Sequence, residues 1–261
     1  MKLAVQENIV PGTTLSEKLA NMERYGFEGV EVGGGVITQK LEEIKPALST
    51  SRIKFSTVCG SPGTLLGPDR KTREEAMEAV KERLKITADL GGVGVITVPL
   101  FGGPKITDLY PWYSDIKKVE KRILIEECRI LGKYADDVGA YVILEPLNRY
   151  ETHLLNTLEQ AIEICDAVRR EHVRLMADFF HMNIEEVDIP ASLRKAGGYI
   201  VHIHLADSNR QLPRYGHTDF RSGFKVLRDS GYRNFMALEC GIPGDPNKTL
   251  PECVTYLKQL L

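Results

Sequence analysis

Four residues stand where a charge or an imidazole needs a reason. Tyr141-Val-Ile-Leu runs into Glu145, Val173-Arg-Leu-Met-Ala into Asp178, Ile200-Val-His-Ile into His204, and Phe235-Met-Ala-Leu into Glu239. A charged side chain at the end of a buried apolar segment is costly unless it is paired or coordinated. Three carboxylates brought together repel one another unless a cation lies between them. Three oxygens and one imidazole nitrogen suit a hard divalent ion and leave coordination positions for water or substrate. Alone, each acid reads equally well as a helix N-cap or a salt-bridge partner. Together, at successive segment ends, Glu145, Asp178, His204 and Glu239 read as the ligands of one metal ion, Mn²⁺ first, with Mg²⁺ or Co²⁺ as substitutes. His202 shares the strand face of His204, two residues deeper, and reads as a core or supporting residue. His153 and His172 fall in a loop and in a helix-to-strand turn, and read as surface.

The elements that must position these residues are short apolar runs at 2–5, 29–32, 54–59, 93–98, 140–144, 173–177, 200–205 and 234–238. Helical patterns lie between them, at 15–25, 73–90, 123–137, 158–169, 223–229 and 251–260, with Gly26 and Gly91-Gly92 as stops. Strands that are apolar on both faces and separated by helices pair in parallel. Eight such units in 261 residues predict an α/β chain folded as one (β/α)8 TIM barrel over 1–261. The structural competitor, a doubly wound open sheet, usually has fewer strands and a glycine-rich first turn. The longest non-helical stretches, 60–71, 100–111 and 207–218, each follow a strand, which puts them at the C-terminal mouth of a barrel, where active sites are built.

Composition narrows the classes. A net charge of −2 offers no basic surplus for nucleic acid and no polybasic stretch for a membrane. No apolar run approaches the ~20 residues of a membrane span. Cys59, Cys128, Cys165, Cys240 and Cys253 form no CxxC pair and are odd in number, which argues against a disulfide framework and for a reducing, cytoplasmic setting.

The strand ends sit in longer phrases: Glu145-Pro-Leu-Asn-Arg-Tyr-Glu151, Asp178-Phe-Phe-His181, His202-Ile-His204-Leu-Ala-Asp-Ser-Asn-Arg210, Gly216-His-Thr-Asp-Phe220 and Leu238-Glu239. In these phrases, and in spacings of 33, 26 and 35 residues along the three acids and one histidine, the chain resembles the xylose-isomerase-like sugar isomerase/epimerase superfamily. Within it, the chain is most similar to the D-tagatose/D-psicose/L-ribulose 3-epimerase group. The resemblance implies the same four metal ligands. It also implies that Glu151, His181 and Arg210 hold substrate hydroxyls near the metal. After the first strand that group usually has aromatic residues that pack on the sugar; here the segment reads Gln6-Glu7-Asn8.

The expected chemistry is ketose 3-epimerisation. The C3 proton is removed and returned through an enediolate stabilised by the metal acting as a Lewis acid. Glu145 and Glu239, at the two ends of the ligand arc, would face C3 from opposite sides, each a base in one direction and an acid in the other. Aldose–ketose isomerisation would use the same parts on C1 and C2, and a sugar or inositol lyase (dehydratase) would start with the same proton abstraction. A three-zinc endonuclease of the same superfamily needs histidines from early strands, and no histidine precedes His153. A sugar-binding relative without catalysis should have lost a ligand. The expected partner is a small sugar, with neither nucleic acid nor membrane, and a homo-oligomer is compatible with the chain.

Overall fold

Eight parallel strands close on themselves in the computed structural model, which describes residues 1–261. They are β1 Lys2–Gln6, β2 Gly29–Gly33, β3 Lys54–Cys59, β4 Gly94–Thr97, β5 Tyr141–Leu144, β6 Val173–Asp178, β7 Ile200–Leu205 and β8 Phe235–Leu238. Their order round the barrel follows the chain, and β8 pairs with β1 through Lys2↔Phe235 to Val5↔Leu238. The open sheet is thereby excluded. All eight expected runs are strands, with bounds shifted by no more than one or two residues.

The helices pack around the strands: α1 Leu15–Tyr25, α2 Leu41–Ser49, α3 Arg70–Asp89, α4 Ile116–Val138, α5 Leu158–Val168, α6 Phe179–Glu185, α7 Ile189–Ala196, α8 Phe220–Asp229 and α9 Pro246–Lys258. Several begin earlier than their apolar periodicity, for one reason. An aspartate caps the first turn before the apolar stripe starts. Asp69 accepts from Thr72 N, Asp115 from Lys117 N, Asp219 from Ser222 N and Asp245 from Asn247 N. The helices α2, α6 and α7 have no counterpart in the apolar pattern, because two of them span fewer than nine residues and α2 carries Pro46 within. No helix is long and apolar enough to cross a membrane. All five cysteines are free thiols.

The barrel interior explains the placement of the site. Ile96, Ile143, Met176 and Val201 pack together, as do Ala4, Phe235 and Ala237, separately from the main core beneath the helices. Side chains alternate along a strand. Two residues beyond Ile143, Met176, Ala237 and Ala4 toward the C-terminal mouth come Glu145, Asp178, Glu239 and Gln6. An apolar floor thus carries a polar ring. The loops expected at the mouth are there, spanning 60–69, 98–115 and 206–219.

Candidate metal centre

The ring gathers the four strand-end residues. One donor atom from each of Glu145, Asp178, His204 and Glu239 lies within 4.8 Å of all the others. His204 is at the middle. Its Nδ1 lies 3.0 Å from Glu239 Oε2, 3.5 Å from Glu145 Oε1 and 3.7 Å from Asp178 Oδ2. No one of these oxygens is aligned to make a hydrogen bond with it, so a fully buried nitrogen is left without one. Such an atom is costly unless something else satisfies it. A nitrogen facing three carboxylate oxygens, none of them in line, has the donor geometry of coordination, and the residues fit a hard divalent cation.

The far side of the same ring is fixed. His204 Nε2 is 3.0 Å from Glu31 Oε1, and His202 Nε2 is 2.9 Å from Glu31 Oε2. Thr57 Oγ1 donates to Glu31 Oε2 at 2.5 Å, and Gln6 Nε2 donates to Glu31 Oε1 at 3.0 Å and to Glu239 Oε1 at 2.9 Å. Glu31 is wholly buried on β2 and is a member of the candidate site that the sequence reading missed. Its signal was the charge inside Gly29-Val-Glu-Val-Gly33, in a run otherwise free of polar side chains. His202 takes the supporting place expected of it. Gln6 occupies the stretch where the resemblance leads one to expect aromatics.

The electrostatics agree. Burial alone would drive Glu31 up, but the imidazoles of His204 and His202 hold it well below its ordinary value. Burial opposes charge on His204, yet Glu239 and Glu31 hold its pKa well above the usual range. The surrounding carboxylates therefore favour positive charge on or beside the His204 ring. Burial pushes Glu145 up, with Glu239 and Asp178 adding to that, while His204 pulls the other way. Glu239 is lowered: burial is outweighed by His204 and Arg210. Asp178 is likewise held well below its ordinary value despite burial, by Arg210, His181 and His204.

Asp178 faces two ways. Its Oδ1 caps α6, accepting from Phe180 N at 2.7 Å and His181 N at 3.3 Å, while Oδ2 faces the ring. Starting α6 at this point puts His181 one turn above the ring. His181 Nδ1 accepts from Asn148 N at 3.1 Å, so its proton sits on Nε2, 3.8 Å from Asp178 Oδ2. The side chain is buried and borders the pocket above the ring. Glu151 stands half exposed on the rim, with Oε1 accepting from Asn148 Nδ2 at 2.8 Å. Arg210 Nη1 donates to Asp178 Oδ2 at 2.7 Å and Nη2 to Glu239 Oε2, and its guanidinium also lies over the Phe180 ring. Its loop is shaped by Asp207, which accepts from the main chain at Ser208, Thr218 and Arg214. Only glycine fits at 216, since a Cβ there would come within 2.4 Å of Asp207 Oδ1.

All three expected substrate residues thus border one pocket of about 270 Å³ with Glu145 and Glu239, and Gly60, Ser61 and Phe101 contribute from the other mouth loops. His153 and His172 are less exposed than the surface reading has them. His172 Nδ1 lies 3.0 Å from Asp136 Oδ1, and His153 Nε2 lies 2.5 Å from the buried Glu120. Each is half-buried and tied to an acid far away in sequence, which local pattern does not reveal.

Known proteins share this arrangement of elements. The chain is 29% identical over 261 residues to 3-dehydro-D-guloside 4-epimerase of Escherichia coli, covering 99% of both. It is 35% identical over 235 residues to D-psicose 3-epimerase of Ruminiclostridium cellulolyticum, covering 85% of this chain and 76% of that one. Among solved structures, 3-keto-D-glucoside 4-epimerase from E. coli superposes with a TM-score of 0.90 at 28% identity, over 99% of each chain. These relatives are epimerases, that is, isomerases acting on carbohydrates. The sequence matches the Xylose isomerase-like TIM barrel family over residues 19–260, and the chain belongs to that family.

Proposed function

We propose that this protein is a divalent-metal-dependent carbohydrate epimerase that inverts a carbon next to a sugar ketone. The observation that carries the reading is His204 Nδ1, clamped from behind by Glu31 and facing three carboxylate oxygens with no hydrogen bond. A divalent ion held by Glu145, Asp178, His204 and Glu239, Mn²⁺ first, would supply Lewis-acid charge for the oxygens flanking the reacting carbon. The rest falls to the side chains. Glu145 and Glu239 come from β5 and β8, with β6 and β7 between them, so they flank the pocket floor. One, ionised, takes the proton from one face, and the other, protonated, delivers its own proton to the opposite face, so that the two exchange protonation states in each turnover. His181 presents its Nε2–H to a sugar oxygen. Arg210 lies between Asp178 and Glu239 and shares its charge with an oxyanion beside them. Glu151 accepts a hydroxyl at the rim.

The substrate is an unphosphorylated sugar or glycoside. Arg210 is the pocket's sole lysine or arginine and is already bound to two acids, while Arg214 lies over Tyr256 and Lys105 is not among the lining residues. Inversion of C3 beside a C2 ketone is the first reading. Inversion of C4 beside a C3 ketone is the second, favoured by the full-length match to a 4-epimerase. The chemistry is the same, shifted by one carbon. The test is incubation of Mn²⁺-loaded protein in D₂O with free and phosphorylated ketoses and 3-keto-glycosides. Deuterium at C3 or C4 of recovered sugar supports the epimerase. Deuterium at C1 or C2 would make it an aldose–ketose isomerase, and loss of water a lyase.

A further inference from the structure

His153 stands behind the pocket rather than in it. It belongs to the loop after β5, whose Glu151 borders the pocket, and that loop is bridged to the loop after β4, whose Phe101 borders it too. Gly102 N donates to Glu151 O at 2.7 Å, and His153 N donates to Gly102 O at 3.1 Å. The imidazole reinforces the bridge. Its Nδ1 is 3.0 Å from the same Gly102 carbonyl and its Nε2 is 2.5 Å from Glu120 Oε2 on α4. Both ring nitrogens are engaged, one by a main-chain carbonyl and one by a carboxyl group, so the ring ties the bridged loops to α4. Glu120 is fully buried and its other oxygen has no partner. A buried acid with a single partner is a costly arrangement that α4 does not itself require. What it provides is a fixed anchor for two mouth loops.

We propose that Glu120 and His153 form a clasp that positions Glu151 and Phe101 at the pocket rim and so sets substrate affinity without touching substrate. The affinity part rests on the reading of this pocket as the sugar site; the clasp itself does not. Its first test is therefore independent of substrate: amide hydrogen exchange of segments 98–115 and 147–155 in the whole metal-loaded protein. Fluorescence of Trp112, the chain's only tryptophan and 83% exposed on the first of these segments, gives a parallel signal. His153→Ala and Glu120→Ala should each speed exchange in both segments roughly 10-fold or more while β6 to β8 stay protected. The double variant should loosen them no further than either single one, as expected of two residues acting as a unit. Glu120→Gln should restore protection, because its amide can donate to Nε2 while Nδ1 still donates to Gly102. In kinetics on the sugar found by the deuterium panel, the alanine variants should raise KM about 10-fold and leave kcat within about 3-fold, with Glu120→Gln near the parent. Unchanged protection of both segments in the alanine variants would overturn the clasp, as would a fall in kcat at constant KM. A panel with no turnover counts against the epimerase reading, and the exchange data then decide the clasp alone.

Discussion

Glu31 Oε1 lies 3.0 Å from His204 Nε2, and this contact decides what the other side of the ring can do. With Nε2 engaged by a carboxylate, Nδ1 is the nitrogen left for the three acids at the mouth. Carboxylates placed behind a ligating histidine orient the ring and raise its basicity. Glu31→Gln should therefore lower Mn²⁺ affinity about 10–100-fold with all four proposed ligands intact. A chelator competition titration measures it. Parent-like affinity would show that Glu31 only fills space.

Activity should disappear with EDTA and return with Mn²⁺, Co²⁺ or Mg²⁺. Metal at about 100 times its Kd should stabilise the fold by about 2.7 kcal/mol, a rise of roughly 5–10 °C in melting temperature, because it relieves repulsion among Glu145, Asp178 and Glu239. Full activity in a verified metal-free sample would end the metal reading.

Asp178 serves a helix with one oxygen and the ring with the other, so two substitutions separate its roles. Asparagine caps a helix about as well as aspartate, whereas alanine loses about 1 kcal/mol. Asp178→Asn should lose metal affinity at nearly unchanged apo stability, and Asp178→Ala should lose both. Calorimetry on apo and loaded samples checks this. Unchanged affinity in the asparagine variant would mean that the coordination is misassigned.

Glu145→Gln and Glu239→Gln should each abolish net epimerisation. Each should still wash out the reacting hydrogen of one epimer, and of opposite epimers, because the surviving glutamate serves only its own face. NMR of each epimer in D₂O reads this, with metal content measured in both variants. Exchange of the same epimer by both would replace the two-face mechanism with a one-base isomerase or lyase.

Glu127 on α4 gives a pH signature remote from the site. Its Oε1 is 3.4 Å from Arg73 Nε, its Oε2 is unpartnered, and burial pushes its pKa from 4.5 up to about 7, with Arg73 pulling back only in part. The folded chain thus holds this proton more tightly than the unfolded one. Its contribution is fully present below about 4.5 and is lost as pH rises to about 7. Glu127→Gln should match the parent at pH 4.5 and exceed it at pH 8 by about 1–2 kcal/mol after allowance for solvent screening. Denaturant melts at the two pH values decide it. A constant difference between them would mean that Glu127 does not titrate on folding.

Much of the ring was legible because its members interrupt apolar runs at their ends, where a charge has few bland explanations. Glu145, Asp178, His204 and Glu239 all follow that rule. Glu31 does not. Flanked by Val30 and Val32, it fits the alternation of a half-exposed strand as well as that of a buried one, and only barrel closure decides between them. Gln6 at a strand end is equally ordinary until β8 places Glu239 beside it. The pair of Glu120 and His153 spans 33 residues and two loops, so no local period betrays it. Helix starts were late wherever an aspartate caps a charged first turn, as at Asp115 before Lys117 and Lys118.

Gln6 reaches from β1 to Glu31 on one neighbour and to Glu239 on the other, across the seam where the first strand meets the last. A chain that has ordered β2 through β8 without zipping that seam holds every proposed ligand but lacks the amide that spaces two of its acids. Recovery of tight metal binding during refolding would then clock the sealing of the cylinder rather than the appearance of helices and strands. Far-UV ellipticity and metal uptake should run on separate time courses, with uptake the later.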